Sequence, residues 1–335
     1  MGKVTVVILN YNGQQYLEKF LPVTIRYSEG HEIIVVDNAS TDQSVKLINE
    51  RFEGVRLIEL PINKGYTGGY NEALKLIDSD YYVLLNSDLQ VTENWINPVT
   101  QLMDSDSLIT ACQPKILSYK QKDRFEYAGA SGGFIDFLGY PFCRGRIFGT
   151  TEKDEGQYDD ARQVFWASGA CLFVRSKVFH QLGGFDEDFF AHMEEIDLCW
   201  RMNNLGFKVM VYPESIIYHV GAGTLPVSNP RKTYLNFTNN LAILTKNLPF
   251  EKLIFILPIR ILLDWIAAIK FLFDGTVKHS YAVFKAHFHL IKKFRKHWNK
   301  RGQNSRVHYE ELVFPKSIVA SYFLFGKNRF KNLRF

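Results

Sequence analysis

Four short runs rich in β-branched and large apolar residues alternate with helix-patterned segments through the first hundred residues, and no other feature of the chain restricts its fold as strongly. The runs at 3–9, 32–36, 55–60 and 81–85 read as strands, and the segments at 14–27, 41–52 and 67–78 read as helices. Strand and helix in this rhythm form βαβ units that feed a mostly parallel sheet. The second helix opens at Ser40-Thr41-Asp42, where a hydroxyl or carboxylate is suited to cap free N–H groups. In a doubly wound sheet, ligands sit outside the carboxyl ends of the strands. The loops at 10–13, 37–40, 61–69 and 86–88 are therefore expected to line one crevice.

With 335 residues, 46% of them apolar, the chain can bury a substantial core, and disorder is excluded. Cys112, Cys143, Cys171 and Cys199 stand far apart with no C-x-x-C pair, which argues against a zinc knuckle or a disulfide framework and for a reducing compartment. Lys3 runs directly into Val4-Thr5-Val6-Val7-Ile8-Leu9 and then polar Asn10-Tyr11-Asn12-Gly13, so the N-terminus is expected to be the first strand and not a signal peptide.

Residues 105–175 change character, with glycines among aromatics followed by the β-like run 164–174, and read as a mixed-sheet region with a long loop or hairpin. A helix is expected over 188–204, stopping near Gly206, and then a short strand from Lys208 to Val211. Beyond about residue 250, Leu253–Phe273 is a 21-residue apolar stretch interrupted by Pro258, Arg260, Asp264 and Lys270. Each charge at the centre of a spanning helix costs about 2.5 to 3.5 kcal/mol on insertion scales, so a simple span is not expected. Next, Tyr281, Phe284, Phe288, Ile291, Phe294 and Trp298 recur at helical spacing, with Lys285, Lys292, Lys293, Arg295 and Lys296 largely off the stripe. This basic amphipathic helix either docks its stripe on the protein or lies on an anionic bilayer. Of the total charge of +5, residues 276–335 carry +12, from 14 Lys/Arg against Glu310 and Glu311, leaving −7 on the rest. Nucleic acid or an anionic membrane would attract such a tail, but no nucleic-acid fold signature accompanies it.

Four constellations carry chemistry. Asn86-Ser87-Asp88 follows directly on the apolar run 81–85, and a carboxylate at a strand's carboxyl end is well placed to hold a hard cation against diphosphate oxygens; plain turn formation is the alternative. Asp37 ends a buried strand and is suited to accept a hydrogen bond from a pyrimidine imide; helix capping is the alternative, and it suits Ser40 or Thr41 better than Asp37. Asn63-Lys64-Gly65-Tyr66-Thr67-Gly68-Gly69-Tyr70-Asn71 is a glycine-rich turn opening a helix, where N–H groups and Lys64 are suited to phosphate or sugar. It matches neither the P-loop nor the dinucleotide fingerprint, which argues against ATPases and NAD enzymes. Finally, Glu194, Glu195 and Asp197 crowd three acids into four positions beside bulky apolar residues, as a base in a partly dry cleft requires, or as a solvated helix face allows. His219, before Val220-Gly221-Ala222-Gly223, is by itself more often structural than a ligand.

In this order, V-V-I-L-N-Y-N-G, V-D-N-A-S-T-D, N-K-G-Y-T-G-G-Y-N, L-L-N-S-D, S-G-A-C-L-F-V-R, G-G-F-D-E-D-F-F, M-E-E-I-D-L-C-W-R and Y-H-V-G-A-G-T resemble the family 2 inverting glycosyltransferases of the GT-A fold, in particular the bacterial rhamnosyltransferase-like and galactofuranosyltransferase-like branch. The resemblance runs from about residue 3 to 247. It implies a GT-A domain over 1–247, with a nucleotide-binding half (1–104) and an acceptor-binding half (105–247), and leaves 248–335 as a helical, membrane-associating extension. The implied donor is a nucleoside-diphosphate sugar, dTDP- or UDP-linked and rhamnose-like, held by Asn10, Asn12, Asp37, Asn63, Lys64, Gly65, Gly69, Asn71, Asn86 and Ser87. Asp88 matches the last acid of the family's D-x-D motif and His219 its late histidine, which together imply bound Mn²⁺ or Mg²⁺; Asn86 stands where the first Asp usually is. The family's catalytic base falls on Glu195, with Glu194 and Asp197 orienting hydroxyls.

The acceptor implied is a glycan or a lipid-linked glycan in cell-surface polysaccharide synthesis. Such an enzyme is expected in the cytoplasm, peripheral at the inner face of the cell membrane, with an anionic membrane surface as partner and no nucleic acid. Two rival readings are an inactive sugar-nucleotide-binding or scaffolding module and a nucleotidyl or RNA-binding protein.

Overall fold

The computed structural model describes residues 2–221, 228–302 and 309–335. Its first half follows the sequence rhythm: β1 (Val4–Asn10), α1 (Gln14–Tyr27), β2 (Glu32–Asp37), α2 (Ser44–Arg51), β3 (Arg56–Glu59), α3 (Gly65–Leu74) and β4 (Tyr81–Asn86). Then come β5 (Leu89–Val91), α4 (Asn97–Ser105) and β6 (Ile109–Ser118), the short strands β7 (Gly133–Asp136), β8 (Pro141–Cys143), β9 (Arg146–Ile147) and β10 (Thr150–Thr151), and β11 (Arg162–Val164), β12 (Cys171–Arg175) and α5 (Ser176–Gln181). The chain continues through α6 (Glu194–Asn204), β13 (Lys208–His219), α7 (Pro230–Asn247), α8 (Phe250–Phe273), α9 (Val277–Asn299), β14 (Val313–Phe314) and α10 (Ile318–Phe323).

The main sheet is mixed, in the order β11-β13-β6-β12-β4-β1-β2-β3, with β5 pairing β13. Strands β3, β2, β1 and β4 are parallel neighbours, whereas β12 runs antiparallel to both β4 and β6. One apolar cluster packs Val4, Val6 and Ile8 against Leu17 and Leu21 of α1; the other packs Val7 against Tyr70, Ala73 and Leu74 of α3. Both faces of β1 are thus covered, which is why its sequence is apolar almost throughout.

Three expectations need correction. The strand read as 208–211 extends to His219, whose backbone pairs with Leu89 just beyond Asp88. The middle region forms a second five-stranded sheet, β10-β9-β8-β7-β14, closed by a strand from the C-terminal region that no local pattern announced. The helix after Asp37 starts at Ser44; Ser40 and Thr41 do not cap it, and the Asp42 carboxylate accepts from Ser44 N at 3.0 Å.

The α9 stripe also departs from its docked alternative. Tyr281, Phe284, Phe288 and Ile291 are exposed, and Ala282, Val283, Ala286 and Leu290 are the buried residues. Phe294 is exposed too and stacks on Trp298 within the helix; of the stripe, Trp298 docks, meeting Phe250 edge-on. Two cations of the tail are paired at the surface: Lys296 with Asp188, and Lys300 with Asp186 and Asp188. No helix among the described residues is long and apolar enough to cross a membrane.

Candidate active site

The carboxyl ends of β1, β2 and β4 lie side by side because those strands are parallel and in close register. Gly13 makes the β1 and β4 loops compatible, since a Cβ there would come within 2.4 Å of Asn10 Oδ1 and 3.2 Å of Ser87 Oγ. Asn10 is fully buried and donates from Nδ2 to Asp37 Oδ1 and Ser40 Oγ, while its Oδ1 has no partner. Asp37 also accepts from Ser40 N at 2.8 Å. Asn12, at φ 51°, accepts from Thr41 N at 2.7 Å. Asn63 accepts from Gly65 N and Asn38 Nδ2. The loops at 10–13, 37–42 and 61–65 are therefore knitted together by short polar side chains.

Some predicted donor-binding side chains are already committed elsewhere. Lys64 Nζ pairs with Glu72 at 3.3 Å, both side chains about a third exposed. Asn71 closes both ends of its amide on the Phe185 backbone, at 2.8 and 2.9 Å, which makes it a clamp on the Gly183–Phe190 loop. Gly65 and Gly69 serve packing: a Cβ on Gly65 would lie 2.5 Å from Phe190 O, and one on Gly69 2.8 Å from Leu9 Cδ1.

Asp88 and His219 do come together from opposite ends of the sequence. His219 Nε2 is 3.1 Å from Asp88 Oδ1, and its Nδ1 is 3.0 Å from Glu126 Oε2, a residue that sequence reasoning did not single out. All three are buried. Burial alone would lower the imidazole pKa, but the two flanking carboxylates raise it to about 10. No group of three or more His, Cys, Asp or Glu suited to a metal occurs among the described residues. The protein thus offers one carboxylate and one imidazole that converge, a set that fits Mg²⁺ or Mn²⁺ only if diphosphate oxygens and water complete the shell. Asn86 sits at the end of β4, its backbone N–H bonded to Ala170 O at 2.9 Å. The Ala222-Gly223-Thr224 end of the late-histidine motif lies outside the described residues.

The acids of α6 divide into two kinds. Glu194 and Glu195 stand on its first turn, each with a buried Oε2 atom that has no hydrogen-bond partner. Burial raises the pKa of both, Glu194 further through repulsion from Glu195, and Glu195 to about 7. Asp197, expected to orient a hydroxyl, is fully buried and spent on structure: its carboxylate pairs with Arg201 and Lys246, each at 2.9 Å, and accepts from Asn247 Nδ2. Although burial would raise its pKa, Lys246 and Arg201 hold it low.

The backbone leading into the two glutamates is strained, with Phe190, His192 and Met193 at φ 59°, 70° and 73°. Non-glycine residues persist there only when their surroundings impose it. Asn239 of α7 supplies that constraint, donating to the carbonyls of Phe189, Ala191 and His192 at 2.7 to 3.0 Å. Phe190 O accepts from Tyr66 N, and Tyr66 OH donates to Gly169 O beside Glu195. Glu126 and Asn239 lie in no recognisable motif, and only the folded contacts identify them.

A family model described as glycosyl transferase family 2 matches residues 5–183, ending before α6. The N-acetylglucosaminyl-diphospho-decaprenol L-rhamnosyltransferase of Mycobacterium tuberculosis is 28% identical over 233 residues, covering 64% of this chain and 75% of the relative. Rhamnosyltransferase WbbL of Escherichia coli K12 is 25% identical, covering 63% and 80%. The crystal structure of GalNAc-T7 with UDP, GalNAc and Mn²⁺ shares the fold at TM-score 0.57 and 14% identity; the match covers 73% of this chain and less than half, 48%, of that one.

Proposed function

The chain belongs to glycosyl transferase family 2 and is a glycosyltransferase, and from that premise we propose that it moves a rhamnose-like sugar, with inversion, from a dTDP- or UDP-sugar to a hydroxyl of a glycan or lipid-linked acceptor in cell-surface polysaccharide synthesis. The observation that carries the catalytic assignment is the pair of buried, unpartnered Oε2 atoms on Glu194 and Glu195. A carboxylate oxygen left without a partner in a dry site is a strong acceptor awaiting a donor.

Glu195 takes the proton of the acceptor hydroxyl. The acceptor oxygen forms its bond to the anomeric carbon on the face opposite the nucleotide, and the bond to the diphosphate breaks with its electron pair leaving on the nucleoside diphosphate. Glu194 orients the acceptor. Asp88 and His219 would hold a divalent ion, Mn²⁺ or Mg²⁺, which would supply charge neutralisation to the leaving diphosphate. Glu126 fixes the ring of His219, as carboxylates behind ligating imidazoles do. Asn10, Asn12, Asp37, Asn63, Asn86 and Ser87 shape the donor pocket, and Asp37 reads the base. Residues 1–247 act as the GT-A unit, and 248–335 as a peripheral anchor at the inner face of the cell membrane; exposed apolar residues along α8 and α9 support that placement.

Glu195→Gln tests the catalytic assignment. It is expected to retain nucleotide-sugar binding in a thermal-shift titration and to lose transfer; undiminished turnover would remove Glu195 as the base.

A further inference from the structure

We propose that the membrane-facing surface has a second contact point, formed by the C-terminal turn Phe323-Leu324-Phe325 with Phe137, which enters the interfacial layer of an anionic bilayer at the same end of the molecule as the outer face of α8. The proposal rests on the peripheral membrane reading above and adds to it where, and how many times, the protein meets the lipid.

The first contact follows from the inverted build of α8. The two charged residues in its middle, Arg260 and Asp264, are 2% and 0% exposed and paired at 3.6 Å, while Glu251, Lys252 and Lys270 towards its ends are exposed and Phe255, Leu262, Trp265, Ile266 and Phe273 face outward, Phe255 at 70%. A helix facing water places these classes the other way round. Charges turned inward and paired, with apolar residues outside, are what a hydrocarbon surface selects.

Sheet topology supplies the second contact. Arg260 docks α8 on the β7–β8 turn, donating to Leu138 O at 3.0 Å with its guanidinium 3.5 Å from the Tyr140 ring centre. Because β7, β8, β9 and β10 run antiparallel in sequence, the β9–β10 turn lies at the same end of that sheet, two strand spacings or about 10 Å away. There Phe148 packs on Tyr322 and Phe323 of α10 at 5.1 Å, and Thr150 Oγ1 meets Tyr322 OH at 2.7 Å. The residues ending α10, Phe323, Leu324 and Phe325, are 57%, 78% and 70% exposed, and Phe137 of the β7–β8 turn is exposed as well. Phe323 keeps one edge on Phe148, but Leu324 and Phe325 next to it stand in solvent with no ring contact among the described residues to explain them.

Charge selects the occupant. Lys316, Lys327, Arg329, Lys331 and Arg334 flank the turn in sequence, with no Asp or Glu after Glu311, and Glu152 and Glu155 share a cleft with Arg329 and Lys331. A second copy would bring like charge against like, whereas anionic headgroups complement it.

The test uses the full-length chain and vesicles of phosphatidylglycerol and phosphatidylcholine. The triple variant Phe323→Ser, Leu324→Ser, Phe325→Ser is expected to lose at least about tenfold in vesicle affinity by sedimentation, with nucleotide-sugar binding unchanged. Since Cys112, Cys143, Cys171 and Cys199 are all buried, a polarity-sensitive dye on Leu324→Cys reports that site alone, and its emission is expected to shift blue on anionic vesicles. Wild-type affinity in the triple variant, or a dye that stays in water while the protein sediments, overturns the second contact and leaves peripheral association standing. Failure of the unmodified chain to sediment overturns both. A triple variant that converts a dimer to a monomer without changing vesicle binding assigns the turn to self-association and overturns the proposal.

Discussion

Helices α6 and α8 both carry charged residues into the interior, and they treat them in opposite ways. On α8, Arg260 and Asp264 answer each other, His287 approaches Asp264 at 3.2 Å, and Leu138 O accepts a hydrogen bond from the guanidinium, whose Nε has no partner. On α6, Asp197 is answered by Arg201, Lys246 and Asn247, yet Glu194 and Glu195, within three residues of it, keep buried carboxylate oxygens without partners. Paired buried charge is architecture; orphaned buried charge carries a standing energetic penalty, which persists at a site where a substrate relieves it. The same comparison separates the two apolar surfaces, because the core of the main sheet is covered on both sides whereas the outer face of α8 is not.

The largest effect that breaks this comparison belongs to α6. Glu195→Gln should lower kcat by two to four orders of magnitude, the usual contribution of a positioned base. In the unmutated enzyme, a base whose pKa is raised by burial to about 7 must lose its proton to act, so the rate should fall as pH drops through that region; a flat profile from pH 5 to 8 would contradict the assignment. Next, Asp197→Ala should destabilise the fold by about 3 to 5 kcal/mol in urea unfolding, because Arg201 loses its carboxylate and Lys246 loses one of its two, Asp186 remaining at 2.6 Å. Its loss of activity should track loss of folded protein, which separates it from Glu195→Gln. A smaller change is expected for Glu126→Gln: about 10- to 100-fold weaker Mn²⁺ binding by calorimetry with nucleotide present, and little change in thermal stability. The smallest belongs to the outer face of α8, where Phe255→Ser should alter stability by no more than about 0.5 kcal/mol despite removing a large apolar side chain. A cost above 2 kcal/mol would mean that this face is packed against protein.

What was legible in the sequence was local. The strands up to Asn86, the glycine-rich start of α3 and the acid at the end of β4 announce themselves through period, turn chemistry and motif order, because short-range sterics and backbone hydrogen bonding decide them. Pattern also marked α9 as a helix with an aromatic stripe, but not that the stripe points outward, since periodicity defines a face without saying what covers it.

Only the tertiary structure decided the rest, because it depends on contacts between residues far apart in the chain. It brought His219 to Asp88 across 131 positions and placed Glu126 behind it. It spent Asn71 on Phe185, paired Lys64 with Glu72, and fixed a strained loop through Asn239 of a later helix. It also took Asp197 out of the group of acids in which the sequence had placed it, leaving Glu194 and Glu195. A motif specifies which side chains are available; the partners that folding supplies specify which of them remain free to react.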